Sequence, residues 1–253
     1  MIFLPHSYPC GPENLALEEL LLRPLVKSPS VEPIVRLWDN PEICIVLGRA
    51  EKAEQQIRLS KCQQRGIPFY RRVSGGGTVT HGPGNMNLSF FLPFTWNQEL
   101  KNLKTSYHII LKWVQNAIKN SCGAETHING TCDLCIGDKK ISGTAQARKR
   151  FGILHHLTLL VDFDTSIIAK VQSEPEKQPD YREKRSHDDF ITTLEREGYK
   201  LDRANFITEL KNTMGGWHQQ AISQSLDEEV KTLAQHKYRS SLWNRDGREP
   251  KAT

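Results

Sequence analysis

Three successive glycines, Gly75, Gly76 and Gly77, stand between two runs that both read as strands, PFYRRV (68–73) and MNLSFFLPF (86–94). Glycine lets the backbone adopt positive φ and approach a ligand closely. A strand on each side excludes two phosphate-binding architectures. A Walker A loop needs Gly-Lys-Ser/Thr after its glycines, and none follows. A dinucleotide fingerprint needs GxGxxG opening a helix, which is also missing. Two readings remain. One is a bare glycine-rich hairpin loop. The other is a loop whose freed N–H groups point at an anion, with Arg71 and Arg72 beside it.

The rest of the chain sets these strands in an α+β frame. Gly11-Pro12 opens a helix that Pro24 stops. IVRLW (34–38) alternates like a strand, and ICIVL (43–47) is a continuous apolar run ended by Gly48. Residues 51–65 are expected to form a helix closed by Gly66. Ile109, Ile110, Trp113, Val114, Ala117 and Ile118 recur at i, i+3, i+4, which predicts an amphipathic helix over 102–121. DLCI and KKISGTAQ flank Gly137-Asp138 as a hairpin, and ILHHLTLLVDFD (153–164) reads as a long strand. Residues 171–187 are charged and Pro-containing, a linker or loop. Helices are expected at 188–197, 203–213 and 226–236, with a frayed tail from Asn244. Strands cluster before 165 and helices after it, so the class is α+β.

The 253 residues carry 34 Lys+Arg against 29 Asp+Glu, a net charge of +5. Such a mild excess suits an anionic small substrate or an acidic partner surface. No aromatic-plus-basic stripe accompanies it, so nucleic acid is not expected as a partner. No run approaches the roughly 18 apolar residues of a membrane span. MIFLPHSYPCGPENL lacks a basic start and breaks at Pro5, so no signal peptide is read there. The six cysteines are then expected to be reduced thiols and the protein cytoplasmic.

Other candidate groups are weaker alone. Lys139-Lys140 starts a strand, where a lysine reaches a phosphate or acyl carbonyl or merely guards an edge. Arg148, Lys149 and Arg150 read as a solvated turn. Cys132 and Cys135 have no second pair for zinc, and i, i+3 residues of a strand diverge. His155 and His156 are adjacent on a strand, so one is expected to be buried and the other to face a site.

Taken together, NLALEE (14–19), VRLWDNPEICIVLGR (35–49), RRVSGGGTVTHGPGNMNLSF (71–90), CDLCIGDKKISGTAQ (132–146) and HHLTLL (155–160) resemble the lipoate–protein ligase family, within the biotin/lipoate ligase and octanoyltransferase group. The resemblance runs from about residue 10 to 245. It implies one catalytic domain over residues 1–253, of mixed, largely antiparallel twisted sheets flanked by helices, like biotin ligases and class II synthetase cores. It also implies ATP-dependent activation of lipoate to lipoyl-AMP with Mg²⁺, then transfer to a lysine of a lipoyl carrier domain. That carrier would be a 2-oxoacid dehydrogenase subunit or a glycine cleavage H protein.

By the same resemblance Lys140 is the catalytic lysine on the phosphate and acyl carbonyl, and Arg72 contacts the acyl-adenylate. Ser74, Gly75, Gly76, Gly77 and Thr78 form the covering loop, with His81 and Asn85 orienting it. Asp133 lies near the adenylate and its metal, followed in the second motif by Ser142 and Gly143. Leu37, Val46, Val79 and Leu159 are candidate walls for the apolar acyl slot. Long-form ligases carry an extra C-terminal domain that this chain does not match, so adenylation is expected either to need a separate accessory chain or to proceed with altered loops. Cys132 stands where the family has Asn, which raises the alternative of an octanoyl- or lipoyl-transferase with a cysteine nucleophile. A non-catalytic binder of lipoyl domains is a further alternative.

Overall fold

The computed structural model describes residues 1–175 and 178–250. Among the described residues eleven strands build two sheets: β1 Ile2–Leu4, β2 Ile34–Trp38, β3 Cys44–Leu47, β4 Phe69–Arg71, β5 Val79–His81, β6 Asn85–Pro93, β7 His127–Asn129, β8 Asp133–Ile136, β9 Lys139–Arg148, β10 Gly152–Leu160 and β11 His218–Gln219. The large sheet runs β11-β1-β2-β6-β10-β9-β8-β7 and the small one β4-β3-β5. Among the described residues only the β11–β1, β1–β2 and β3–β4 strand pairs are parallel, so the expected mixed, largely antiparallel α+β fold is what the chain adopts.

Alternation along the strands gives the large sheet two different faces. On one, Val35, Leu37, Leu88, Phe90, Ile153 and Leu159 pack with Ile110, Leu111, Val114 and Ile118 of the Leu103–Cys122 helix. Each such side chain fully buried contributes about 1.5–3 kcal/mol. Asn102 caps that helix by accepting the Thr105 N–H, and Gly123 ends it at φ 77°. The Arg203–Thr213 helix adds Phe206 and Leu210 to the same core. The other face meets the small sheet, the Gly11–Leu22 helix and the C-terminal helices, through Leu15, Val46, Phe91, Leu154, Val230, Tyr238 and Trp243.

Three sequence expectations need correction. The helix over 51–65 is two short ones, Ala53–Gln56 and Leu59–Gln64, because Ile57 bridges to Gln172 and the Arg58 N–H reaches Val171 O. The helix over 188–197 is one turn, His187–Phe190. The β-branched run Ile191-Thr192-Thr193 follows, and the first two pair with Lys140 instead. The tail is not frayed at Asn244. The Ser241–Asp246 helix buries Trp243, and the carbonyls of Trp243, Asn244 and Arg245 all accept from the buried Arg71 guanidinium. The segment 171–187, in its described part, holds a short turn at Asp180–Arg182 with Arg182 buried. Residues 176 and 177 of that segment, and 251–253 of the tail, lie outside the described residues.

Candidate functional site

Register lays the site out in two ranks across the sheet. Trp38, Asn87, Thr158 and Gly143 are aligned partners on four neighbouring strands, and so are Arg36, Ser89, His156 and Ala145. Leu37 and Leu159 sit one residue out of phase and face the other core. They do not line the cavity, which corrects their assignment as slot walls, whereas Val46 and Val79 do line it. The cavity holds about 200 Å³ and brings Arg72, Gly76, Gly77, Thr78, His81, Cys132, Asp133, Lys140 and Gly143 to one place. A second chamber of about 220 Å³, roofed by Pro175, Pro179, Arg182 and Phe190, shares Gly77, Thr78, Asp133, Lys140 and Gly143 with the first. Lys140 therefore stands where two chambers meet.

A bulge puts it there. Cys135 pairs with Lys140 but Leu134 pairs with Ser142, so Ile141 is one residue too many on β9. The ammonium lies across Gly143, whose missing Cβ would be 3.0 Å from Lys140 Nζ, and meets Asp133 Oδ1 at 2.8 Å. Asp133 Oδ2 accepts from Tyr181 O–H at 2.7 Å. Ser142 falls on the opposite face, buried with its hydroxyl unpartnered among the described residues, and lines neither chamber. Asn85 is also outside both; its amide donates to Thr80 O. Gly75 is exposed at the loop tip, and Ser74 sits behind the cavity wall.

The glycine loop folds around Arg72. Its Nε donates to Ser74 Oγ at 2.9 Å, Nη1 to Val46 O at 3.2 Å, and Nη2 to Gly75 O and Gly77 O, both at 2.7 Å. Burial lowers Arg72 to about 10, which leaves it charged at neutral pH. Burial also pushes His81 down to about 3, so its ring is neutral, with Nε2 on Thr158 Oγ1 at 3.1 Å. Thr78 Oγ1, His81 Nδ1 and Asn87 Nδ2 have no partner among the described residues, and all three residues line the first chamber.

His155 is buried and His156 faces the cavity, as their adjacency required. His156 Nε2 meets Ser74 Oγ at 2.6 Å and Nδ1 meets Glu18 Oε2 at 3.0 Å. Glu18 also accepts from Ser89 O–H. Burial alone would raise its carboxyl, but His156, Arg36 and Ser89 outweigh that and hold it at about 2. Cys132 touches the cavity, yet burial and the adjacent Asp133 push its thiol up, away from the thiolate a nucleophile needs. For Mg²⁺ the second chamber offers one carboxylate among the described residues, Asp133, with both oxygens engaged, and no cluster of three acidic, His or Cys ligands occurs among the described residues.

A family model for the lipoyl protein ligase A/B catalytic domain matches residues 11–215. The chain belongs to that family. Over 159 residues it is 35% identical to the putative lipoate-protein ligase A of Aeropyrum pernix, taking in 62% of this chain and 56% of that protein. It is 28% identical to lipoate-protein ligase LplJ of Bacillus subtilis over 265 residues, 99% of this chain and 75% of that one. The chain spans about half the length of the first curated relatives it matches. In fold it resembles the bi-partite lipoate protein ligase of Thermoplasma acidophilum, with TM-score 0.83 at 21% identity over 99% of this chain and 98% of that one. A lipoate-protein ligase A bound with ATP gives TM-score 0.77 at 20% identity over 96% and 97%. At such identities these structures establish the fold.

Glu18, Gly48, Ser89 and Tyr181 belong to this site and escaped the sequence reading. Two signals were present. Asn14 and Glu18 are four apart on one helix face inside an apolar stretch, and Arg36 interrupts an apolar strand. All three are buried together, with Arg36 Nη2 on Asn14 Oδ1 at 2.6 Å.

Proposed function

We propose that this chain makes lipoyl-AMP from lipoate and ATP and transfers the lipoyl group to a lysine of a lipoyl carrier domain. The carrying observation is the position of Lys140 at the junction of two chambers. The first has apolar walls from Leu15, Trp38, Val46 and Val79, suited to an acyl chain, and each buried CH₂ of it contributes about 0.8 kcal/mol. The second suits the nucleotide. The mixed anhydride would then lie over the lysine and the glycine loop.

In transfer, the carrier amine attacks the acyl carbon, the bond from that carbon to the phosphate oxygen breaks, and AMP leaves. The amine proton goes to solvent or the departing phosphate. Lys140 stabilises charge on the carbonyl oxygen and the leaving phosphate. One such donor lowers the barrier by on the order of 3 kcal/mol. No enzyme nucleophile is required, which agrees with the raised Cys132 thiol.

The bi-partite Thermoplasma ligase, described with its E2 lipoyl domain, matches this chain nearly end to end and supports a carrier of that type and an accessory chain for adenylation. The test is mass spectrometry of a lipoyl carrier domain incubated with this protein. Lipoyl-AMP is expected to support transfer by this chain alone, in wild type and in Cys132→Ser alike. Lipoate plus MgATP is expected to need a small accessory ligase chain. Full ATP-dependent activity without it overturns the accessory requirement. Loss of transfer in Cys132→Ser favours the thioester route, and no transfer from lipoyl-AMP overturns the reading.

A further inference from the structure

Four consecutive carbonyls of the glycine loop are turned toward the protein. Ser74 O accepts the Arg49 N–H at 2.8 Å. Gly75 O and Gly77 O accept from Arg72 Nη2. Gly76 O lies 1.9 Å from the point where a Gly48 Cβ would stand, in space that only glycine leaves open. In a trans peptide the N–H lies opposite the C=O of the same plane. The amides of Gly76 and Thr78 therefore face away from the guanidinium, and no hydrogen bond among the described residues engages any amide from Gly75 to Thr78. Unpaired loop amides beside a chamber are an anion-binding feature. Arg72 meanwhile has spent four of its five N–H groups on Ser74, Val46 and the loop.

We propose that Glu18, His156 and Ser74 are positioning residues that fix Arg72 as the inward hub of the loop, so that the adenylate phosphate is met by loop amides instead of the guanidinium. The chain of bonds has one direction. Glu18 accepts at Oε1 from Ser89 and at Oε2 from His156, so His156 Nδ1 carries a proton. In the neutral ring Nε2 then accepts from the Ser74 hydroxyl, whose oxygen accepts from Arg72 Nε. The buried cation and buried anion are joined through Ser74 and His156, and neither can turn without breaking the line. Ser-His-Glu is also the order of a nucleophilic triad. Ser74 is only 1% exposed, and its oxygen is occupied by Arg72, so it is not presented to a carbonyl.

The inference rests on the lipoyl-adenylate reading above, and the experiment separates the two. Binding of a lipoyl-sulfamoyl adenosine probe is measured by calorimetry, and transfer from preformed lipoyl-AMP by steady-state kinetics, for wild type, Ser74→Ala, Ser74→Thr and Glu18→Gln. If wild type fails to bind the probe, the adenylate reading falls. If wild type binds, Ser74→Ala is expected to weaken probe binding and raise KM by about tenfold, the scale of one lost hydrogen bond to a charged group. Its kcat at saturation should stay within about threefold, and Ser74→Thr should restore KM. Glu18→Gln should act in the same direction; if it does not fold, Ser74→Ala decides alone. Unchanged binding in Ser74→Ala, a fall in kcat at unchanged KM, or an acyl group trapped on Ser74 would each overturn the positioning role.

Discussion

Gly48 offers the sharpest perturbation of the loop, because it touches no ligand and its own backbone would accept alanine. The Cβ of Gly48→Ala would stand 1.9 Å from Gly76 O, where 3.0 Å is the closest approach real Cβ atoms make. The carbonyl must then retreat by about 1 Å, a displacement that costs roughly 10²-fold when it separates reacting groups. The loop can retreat, since residues 75–77 are exposed, but doing so strains the Arg72 bonds to Gly75 O and Gly77 O. Overpacking of this kind costs about 1–3 kcal/mol. The expected result is a protein that still melts cooperatively, somewhat below wild type, with transfer from lipoyl-AMP reduced by about 10²-fold. The assay pairs thermal melting with single-turnover transfer to a carrier domain. Wild-type transfer in Gly48→Ala, in a protein whose loop is crystallographically unmoved, would refute the packing argument. Lost stability with intact transfer would refute the link from loop to chemistry.

Two further outcomes are expected. Lys140→Ala should cut transfer from lipoyl-AMP by about 10²–10³-fold, read by rapid quench, and a loss below about threefold would remove the lysine from the chemistry. Burial holds His81 and His155 at about 3 in the folded chain, below their ordinary 6.5. The unfolded chain therefore takes up those protons first. Stability should be complete above pH 6.5 and decline as pH falls toward 3, and His155→Gln should flatten that slope; urea midpoints constant from pH 7 to 5 would contradict it.

The sequence was most legible where local chemistry decides the structure. The glycine loop, the 102–121 helix and the Gly137-Asp138 hairpin all appear where residue type and spacing put them. Arg72, Thr78, His81, Asp133 and Lys140 share one cavity, as the motif order implied. Parity was not legible. Val46 lines the cavity while Leu37 and Leu159 pack behind it, and nothing in an apolar strand tells which face meets a ligand. Ser142 went to the wrong face for the same reason. The helix expected over 51–65 failed because Ile57 finds a partner more than a hundred residues away, at Gln172. Glu18 was hidden because a helix buried nearly all round has no polar side against which a buried carboxylate stands out.

The surplus residue at Ile141 makes this chemistry depend on counting. Were the same residues paired without the bulge, Ile141 would take the place opposite Cys135, and alternation would carry Lys140 half a turn about its strand, toward the packed helix and away from Asp133. Composition, charge and the hairpin turn would be unchanged. A substitution that straightened this stretch would thus keep the fold and lose the reactive centre.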